Sequence, residues 1–278
     1  MRRLLGALAA AMGVGAAGTA IAGPSVEIDN AAVHVVISPE ARSDIHIDIV
    51  RGNPRMPLRV WSLFGRTYID GGLGHRIQGC GGPPGAPTAF VWGIGQVPLS
   101  AMPQIVIHTP LDVEVATGGA VWGEVGRSAS LDLSNAGCGA WVAGDVRGKL
   151  RIAEAGSGAV RTGAAGSADI SVAGAGDVAV GQVAGAVAAM DVGSGDIDVA
   201  SVNGPFNVRI AGSGRVRAAS GRVSLMQASI AGSGGVLLNG VAGQLHASIM
   251  GSGDVRVARV TGGVTKAVMG SGEVRVGS

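Results

Sequence analysis

A short glycine motif recurs nine times along this chain at a spacing that barely varies. Counted from the first glycine of each copy (Gly118, Gly137, Gly156, Gly174, Gly193, Gly212, Gly232, Gly251 and Gly270), the steps are 19, 19, 18, 19, 19, 20, 19 and 19 residues. A period that tight over so many copies is the mark of a solenoid, in which each repeat is one coil stacked on the next. Inside the unit the pattern is equally regular. Four residues past the first glycine stand Trp122, Trp141, Val160, Val178, Ile197, Val216, Val236, Val255 and Val274, and two residues further come Val180, Val199, Leu238, Val257 and Val276. That alternation predicts a short strand with one buried face. A second alternating run closes the unit, as in Phe206, Val208 and Ile210 or Leu245, Ala247 and Ile249.

Two short strands cannot cover each other, so a single unit has no core of its own. Stacking coils about 4.8 Å apart buries the bare faces and pairs the backbone along the axis. The predicted fold is therefore all-β, a parallel β-helix of about nine 19-residue coils over residues 118–278. The 18- and 20-residue steps are expected to fall in the turn between the two strands. Residues 23–117 lack the motif but hold alternating runs at Val33, Val35 and Ile37 and at Ile45, Ile47 and Ile49. They are expected to form a β-rich N-terminal cap, because an uncovered first coil would expose apolar ends and strand edges. The composition agrees with a fold of this kind. With 47% hydrophobic residues and only 14% charged, the chain is too apolar for disorder. Its 50 glycines do not fall at every third position, which excludes collagen.

The motif itself reads Gly-Ser-Gly-Asp-Val at 251–255, Gly-Ser-Gly-Asp-Ile at 193–197 and Gly-Ser-Gly-Glu-Val at 270–274. With its 19-residue period, the run over residues 118–278 resembles the auto-transporter adhesin head GIN domain family. The resemblance implies a β-helix-like solenoid on a cell-envelope protein and brings no catalytic residues with it. No membrane-barrel segment follows the repeats in this sequence, so the chain departs from a complete autotransporter.

The N-terminus reads as an export signal: Arg2 and Arg3, an uncharged run over residues 4–21, and the small-x-small triplet Ala20-Ile21-Ala22. Residues 1–22 are the predicted signal peptide; the alternative is a retained anchor, since 18 uncharged residues nearly suffice to span a bilayer. No later segment has the length and apolarity of a transmembrane helix. The expected location is thus exported, either periplasmic or on the cell surface. Loss of the leader removes two arginines and no acid, leaving a formally neutral chain without a basic run, which speaks against nucleic acid as a partner. Cys80 and Cys138 are the two cysteines. In an oxidising compartment they are expected to form a structural disulfide that staples cap to solenoid, the alternative being two buried thiols.

Several side chains invite sharper roles. The acids that follow the motif suggest calcium, yet the nonapeptide calcium rolls need a nine-residue spacing and a different glycine order. Asp177, Asp196 and Asp198 suggest the paired carboxylates of a polysaccharide-cleaving enzyme. Their columns continue as Arg215 and Arg217, Asp254 and Arg256, and Glu273 and Arg275, however, so ladders of surface ion pairs are expected. Trp122 and Trp141 occupy the same motif position and are expected to stack in the core near the cap. Ser157, Ser194, Ser213, Ser233, Ser252 and Ser271 form a column of turn hydroxyls without a partnered histidine. His34, His46, His75, His108 and His246 share no ligand spacing, and no metal or cofactor is expected.

The function expected from these features is non-enzymatic: an envelope protein whose solenoid side is a surface for interaction or adhesion, toward an envelope protein or a surface polysaccharide. A carbohydrate-active solenoid enzyme and a self-stacking structural element are the alternatives. The ninth copy runs only from Gly270 to Ser278, which predicts an uncovered edge at Val274 and Val276. That edge would serve an end-to-end homodimer or accept an added strand.

Overall fold

The computed structural model describes residues 23–83 and 85–277, so the expected signal peptide, residues 1–22, and Ser278 lie outside the described residues. Nine strands lead into the regular repeats: β1 (Ser25–Glu40), β2 (His46–Arg51), β3 (Arg59–Leu63), β4 (Arg66–Asp70), β5 (Ile77–Gly81), β6 (Thr88–Val91), β7 (Gly95–Pro98), β8 (Gln104–Pro110) and β9 (Asp112–Val125). From Ser130 onward each coil contributes its two strands, paired in parallel with the coil before and after. The motif column runs in strict register: Ile197 faces Val216, Val216 faces Val236, Val236 faces Val255 and Val255 faces Val274.

The alternation read from the sequence sets the core. Val160, Val178, Ile197, Val216, Val236 and Val255 are buried, as are Val180, Val199, Leu238 and Val257, and so are the second-strand residues Phe206, Val208, Ile210, Leu245, Ala247 and Ile249. Between the two main sides runs a third, narrow one, which pairs Ser128 with Val146, Val146 with Ala165, Ala165 with Val183 and Val183 with Val202. The irregular coil lengths are absorbed just beyond it. The 18-residue coil loses its residue where the register shifts between Val146 and Lys149. The 20-residue coil gains one between Gly221 and Met226, opposite the shorter stretch from Val202 to Phe206.

The corner glycines are required twice over. Gly212 has φ +140°, a conformation that L side chains rarely adopt, and a Cβ there would overlap the Gly193 carbonyl oxygen of the coil below. The same combination repeats at Gly193, Gly232, Gly251 and Gly270.

Coil geometry reaches further toward the N-terminus than the motif does. β1 lies parallel on β9 from Val26 opposite Val115 to Ile37 opposite Val125, bulging at Ile28/Ala31 to turn the corner. β4 and β8 in turn lie parallel on the two halves of β1, forming one more rung that is interrupted by residues 71–103. The stack then ends on antiparallel strands, β3 against β4 and β2 against β8. Such a change of direction stops the parallel stack from continuing. The insertion carries the antiparallel sheet β5–β6–β7, which packs with Ala32, Met56, Met102, Ala120 and Trp122 as a second, smaller core. At the other end, Val274 is half-buried and Val276 exposed.

The first motif copy is displaced by one residue from the expected register. Gly137 pairs with Gly119, not Gly118, and Gly119 is the glycine with positive φ, +115°. Because side chains alternate along a strand, a one-residue shift reverses which face each occupies. The two tryptophans therefore do not stack. Trp141 lies opposite Gly123 and fills the solenoid core, while Trp122 lies opposite Ala140 and faces the small core of the insertion. A Cβ on Gly123 would overlap the Trp141 ring, so the missing side chain makes the space that this indole occupies.

Candidate functional site

The outer face beside the motif corners carries the ordered charges of the molecule. Two outward columns run along it, three and five residues past the corner glycine. The first reads Asp177, Asp196, Arg215, Gly235, Asp254 and Glu273, and the second Ala179, Asp198, Arg217, Leu237, Arg256 and Arg275. Arg217 holds Asp198 through two bonds, Nε to Oδ1 at 2.7 Å and Nη2 to Oδ2 at 3.0 Å, and approaches Asp196 at 3.6 Å. The backbone N–H of Asp196 donates to Asp177 Oδ1 at 3.2 Å. Further along the pairing turns inward within a coil, Arg256 with Asp254 at 3.1 Å and Arg275 with Glu273. The expected ion-pair ladder is therefore present across coils at Asp198 and Arg217 and within coils beyond.

One rung breaks the ladder. Gly235 puts no side chain into the first column, and a groove of about 300 Å³ opens there between Arg215 and Arg217 on one side and Asp254 and Arg256 on the other. Its floor is Gly234, Gly235 and Val236, and Ser233 and Ser252 also line it. Among the described residues Arg215 has no acidic partner within 4.0 Å, so its guanidinium faces this groove uncompensated. The serine column is a ladder of turn hydroxyls, with Ser233 Oγ donating to Ser213 Oγ at 3.3 Å and Ser271 Oγ to Ser252 Oγ at 3.0 Å.

Two acids that the sequence reading passed over lie inside the coil. Thr117, Asn135, Glu154, Val172, Asp191 and Ile210 succeed one another in a single inward column, just before the motif corners. Thr117 Oγ1 donates to Asn135 Oδ1 at 2.9 Å, and Asn135 Nδ2 donates to Glu154 Oε2 at 2.7 Å. Glu154 Oε1 accepts the N–H of Gly158 at 3.0 Å. Burial pushes the Glu154 carboxyl upward, and its two donors pull the other way. Asp191 is 0% exposed and neither oxygen has a hydrogen-bond partner. It is one methylene shorter than Glu154, and no corner N–H reaches it. Burial, with the Asp196 charge adding to it, raises its pKa to about 6.

In the cap, the register of β2 on β8 brings His46 opposite His108, which their sequence spacing did not suggest. His108 contacts Glu40 through Nδ1 and Asp48 through Nε2, and His46 Nε2 lies 3.2 Å from Asp48 Oδ1. The imidazole beside Glu40 holds that carboxyl below its usual range. Among the described residues no group of three or more His, Cys, Asp or Glu side chains is arranged to hold a metal ion. Cys80 of β5 and Cys138, the middle residue of a motif corner, form a disulfide with Cα atoms 5.6 Å apart. It fastens the inserted sheet to the solenoid.

Chemically, then, the lateral face offers paired charges and one open groove. Asp177, Asp196 and Asp198 are each tied to a backbone N–H or to Arg217, while Glu154 and Asp191 are sealed inside the core. Residues 184–278 match the model of the family described as putative auto-transporter adhesin, head GIN domain. The match takes in the last five motif corners and the whole groove. The earlier coils, whose corners read Gly-Cys-Gly at 137–139, Gly-Ser-Gly at 156–158 and Gly-Ala-Gly at 174–176, share the coil geometry and lie outside the matched stretch. No curated protein matches the chain. No helix among the described residues is long and apolar enough to cross a membrane.

Proposed function

We propose that the protein is exported by means of residues 1–22 and acts at the cell envelope without catalysis, using the lateral face of its solenoid to hold an acidic surface polysaccharide. The observation that carries this reading is the break at Gly235. Among the charges of the two columns from Asp196 to Arg275, Arg215 is the one without an opposite charge within 4.0 Å, and it stands beside a groove one rung wide. A carboxylate on a glycan chain would complete the pairing that the protein leaves open, and a guanidinium binds a carboxylate through two parallel hydrogen bonds. The match to an adhesin-described family over 184–278 and the solenoid fold support a surface role of this kind. On the motif face Asp177, Asp196 and Asp198 are each held by a backbone N–H or by Arg217, which weighs against their serving as the paired carboxylates of a glycan-cleaving enzyme.

Binding of the exported protein to immobilised uronate-containing and neutral polysaccharides tests the proposal. Arg215→Glu is expected to abolish binding to the acidic polymers, whereas Asp196→Asn leaves it intact. Turnover of any of these polymers, lost in Asp196→Asn, would overturn the non-enzymatic reading. Equal binding by the wild type and Arg215→Glu would remove the groove from it.

A further inference from the structure

The hairpin of β3 and β4 exposes side chains that the fold does not use. Its turn holds Phe64 at φ +50° and Gly65 at φ +81°. These are the two left-handed positions of a type I′ connection, where Asn-Gly is favoured and a bulky side chain is strained. Phe64 is 99% exposed, so its ring gains no burial to offset that strain. Leu63 beside it is exposed as well. Two pairings back and on the same face as Leu63, Trp61 and Tyr68 face each other across the hairpin, their rings stacked with centroids 5.4 Å apart. Arg59 and Arg66 share this outer face, and Arg66 reaches Glu27 at 2.9 Å. A residue kept in a strained conformation with no packing in return points to a role other than folding.

We infer that this hairpin seats on a phospholipid bilayer. Two observations choose that occupant. The first is position: the backbone N–H of Ser25 donates to Gly65 O at 3.2 Å, at the hairpin turn itself. The uncharged run 4–21, read here as the leader that engages the export membrane, thus joins the folded chain beside Phe64. The second is the order of side chains, which follows the layers of a membrane interface. Leu63 and Phe64 form the tip, with Arg66 on the Leu63 rung, where its long stem can carry the guanidinium back to a phosphate. Trp61 and Tyr68 follow about 7 Å behind at headgroup depth, ahead of Arg59. Interfacial elements immerse their apolar side chains by about 5–10 Å, the depth of this hairpin's last two rungs. The bilayer contact takes from the proposed function only that the protein is exported, and it involves neither Arg215 nor Gly235.

Vesicles of phosphatidylethanolamine and phosphatidylglycerol containing a brominated lipid test it, because bromine quenches tryptophan emission on contact. Lipid titration of the exported protein, residues 23–278, is expected to quench its fluorescence, and Trp61→Phe to remove most of that quenching. Phe64→Gly is expected to weaken the titration about tenfold or more, the loss of one buried phenyl ring. The same variant keeps or raises the Tm, because glycine relieves the left-handed strain. Absence of quenching, quenching that survives Trp61→Phe, or a titration unchanged by Phe64→Gly overturns the inference. So does a photocrosslinker at position 64 that captures an envelope protein and no lipid. Glycan binding measured on Phe64→Gly separates the two proposals, since it persists if the groove reading holds, whether or not the hairpin reading does.

Discussion

Replacing Asp191 by valine, the residue that its column carries one coil earlier at Val172, is expected to stabilise the protein at neutral pH. The carboxyl lies among apolar neighbours with both oxygens unpartnered, and its pKa of about 6 stands above the usual value near 3.8. Between pH 4 and 6 the folded chain therefore retains a proton that the unfolded chain has released. Stability falls as pH rises through that window and levels off above it, by about 2–3 kcal/mol in all. Urea melts at pH 4, 5, 6 and 7 should show this decline in the wild type and a smaller one in Asp191→Asn. The remainder belongs to Glu154, which is shifted in the same direction. Parallel profiles would mean that Asp191 does not titrate with folding. Both acids were legible in the sequence, because counting back by coils from Ile210 puts them on the inward column. The acids that follow the motif are more conspicuous, and those proved to be the exposed ones. The meeting of His46 with His108 was not legible, since it depends on an antiparallel register that the cap's loops set.

At the scale of a coil, glycines divide into two kinds that composition cannot distinguish. Gly212→Ala should cost about 2–4 kcal/mol, because the corner needs a left-handed φ and the Cβ would meet a backbone carbonyl that cannot move without its whole coil. Gly235→Ser should change stability by less than about 0.5 kcal/mol, since the nearest atom to a Cβ there is 3.8 Å away. It should nevertheless fill the groove and weaken glycan binding. Chemical denaturation of the two variants side by side checks the contrast. The displaced first corner shows how local such readings are. Gly118-Gly119 offers two candidate starts for the motif, and only the space that Trp141 needs over Gly123 selects the second. The disulfide ties the inserted sheet to the corner at 137–139 beside the small core that both adjoin. Replacing Cys80 and Cys138 together by serine should lower stability by up to about 4 kcal/mol on the chain-entropy model and open the inserted sheet β5–β6–β7 to early proteolysis.

Over the whole molecule each rung touches only its neighbours, so unfolding need not be a single event. All four tryptophans, Trp61, Trp92, Trp122 and Trp141, lie at or before residue 141, while strands extend to Val276. Urea transitions followed by tryptophan fluorescence and by far-UV circular dichroism are therefore expected to separate; coincident midpoints would show that the stack melts as one unit. The repeating part of the fold was legible because a period fixes strand, turn and stacking together. The cap was legible only as β-rich. Nothing in its local pattern says that β4 and β8, separated by 33 residues, share a rung under β1.

That shared rung also fixes a distance. Counting parallel pairings from it to the rung of Gly235 gives eight steps, or about 38 Å at roughly 4.8 Å per step. With the hairpin resting on a lipid surface and the stack rising from it, the groove would stand off by up to that height. Adding or deleting a coil between them would leave both ends chemically untouched and alter only the reach, so under the two proposals copy number would gauge how far from a membrane the protein holds what it binds.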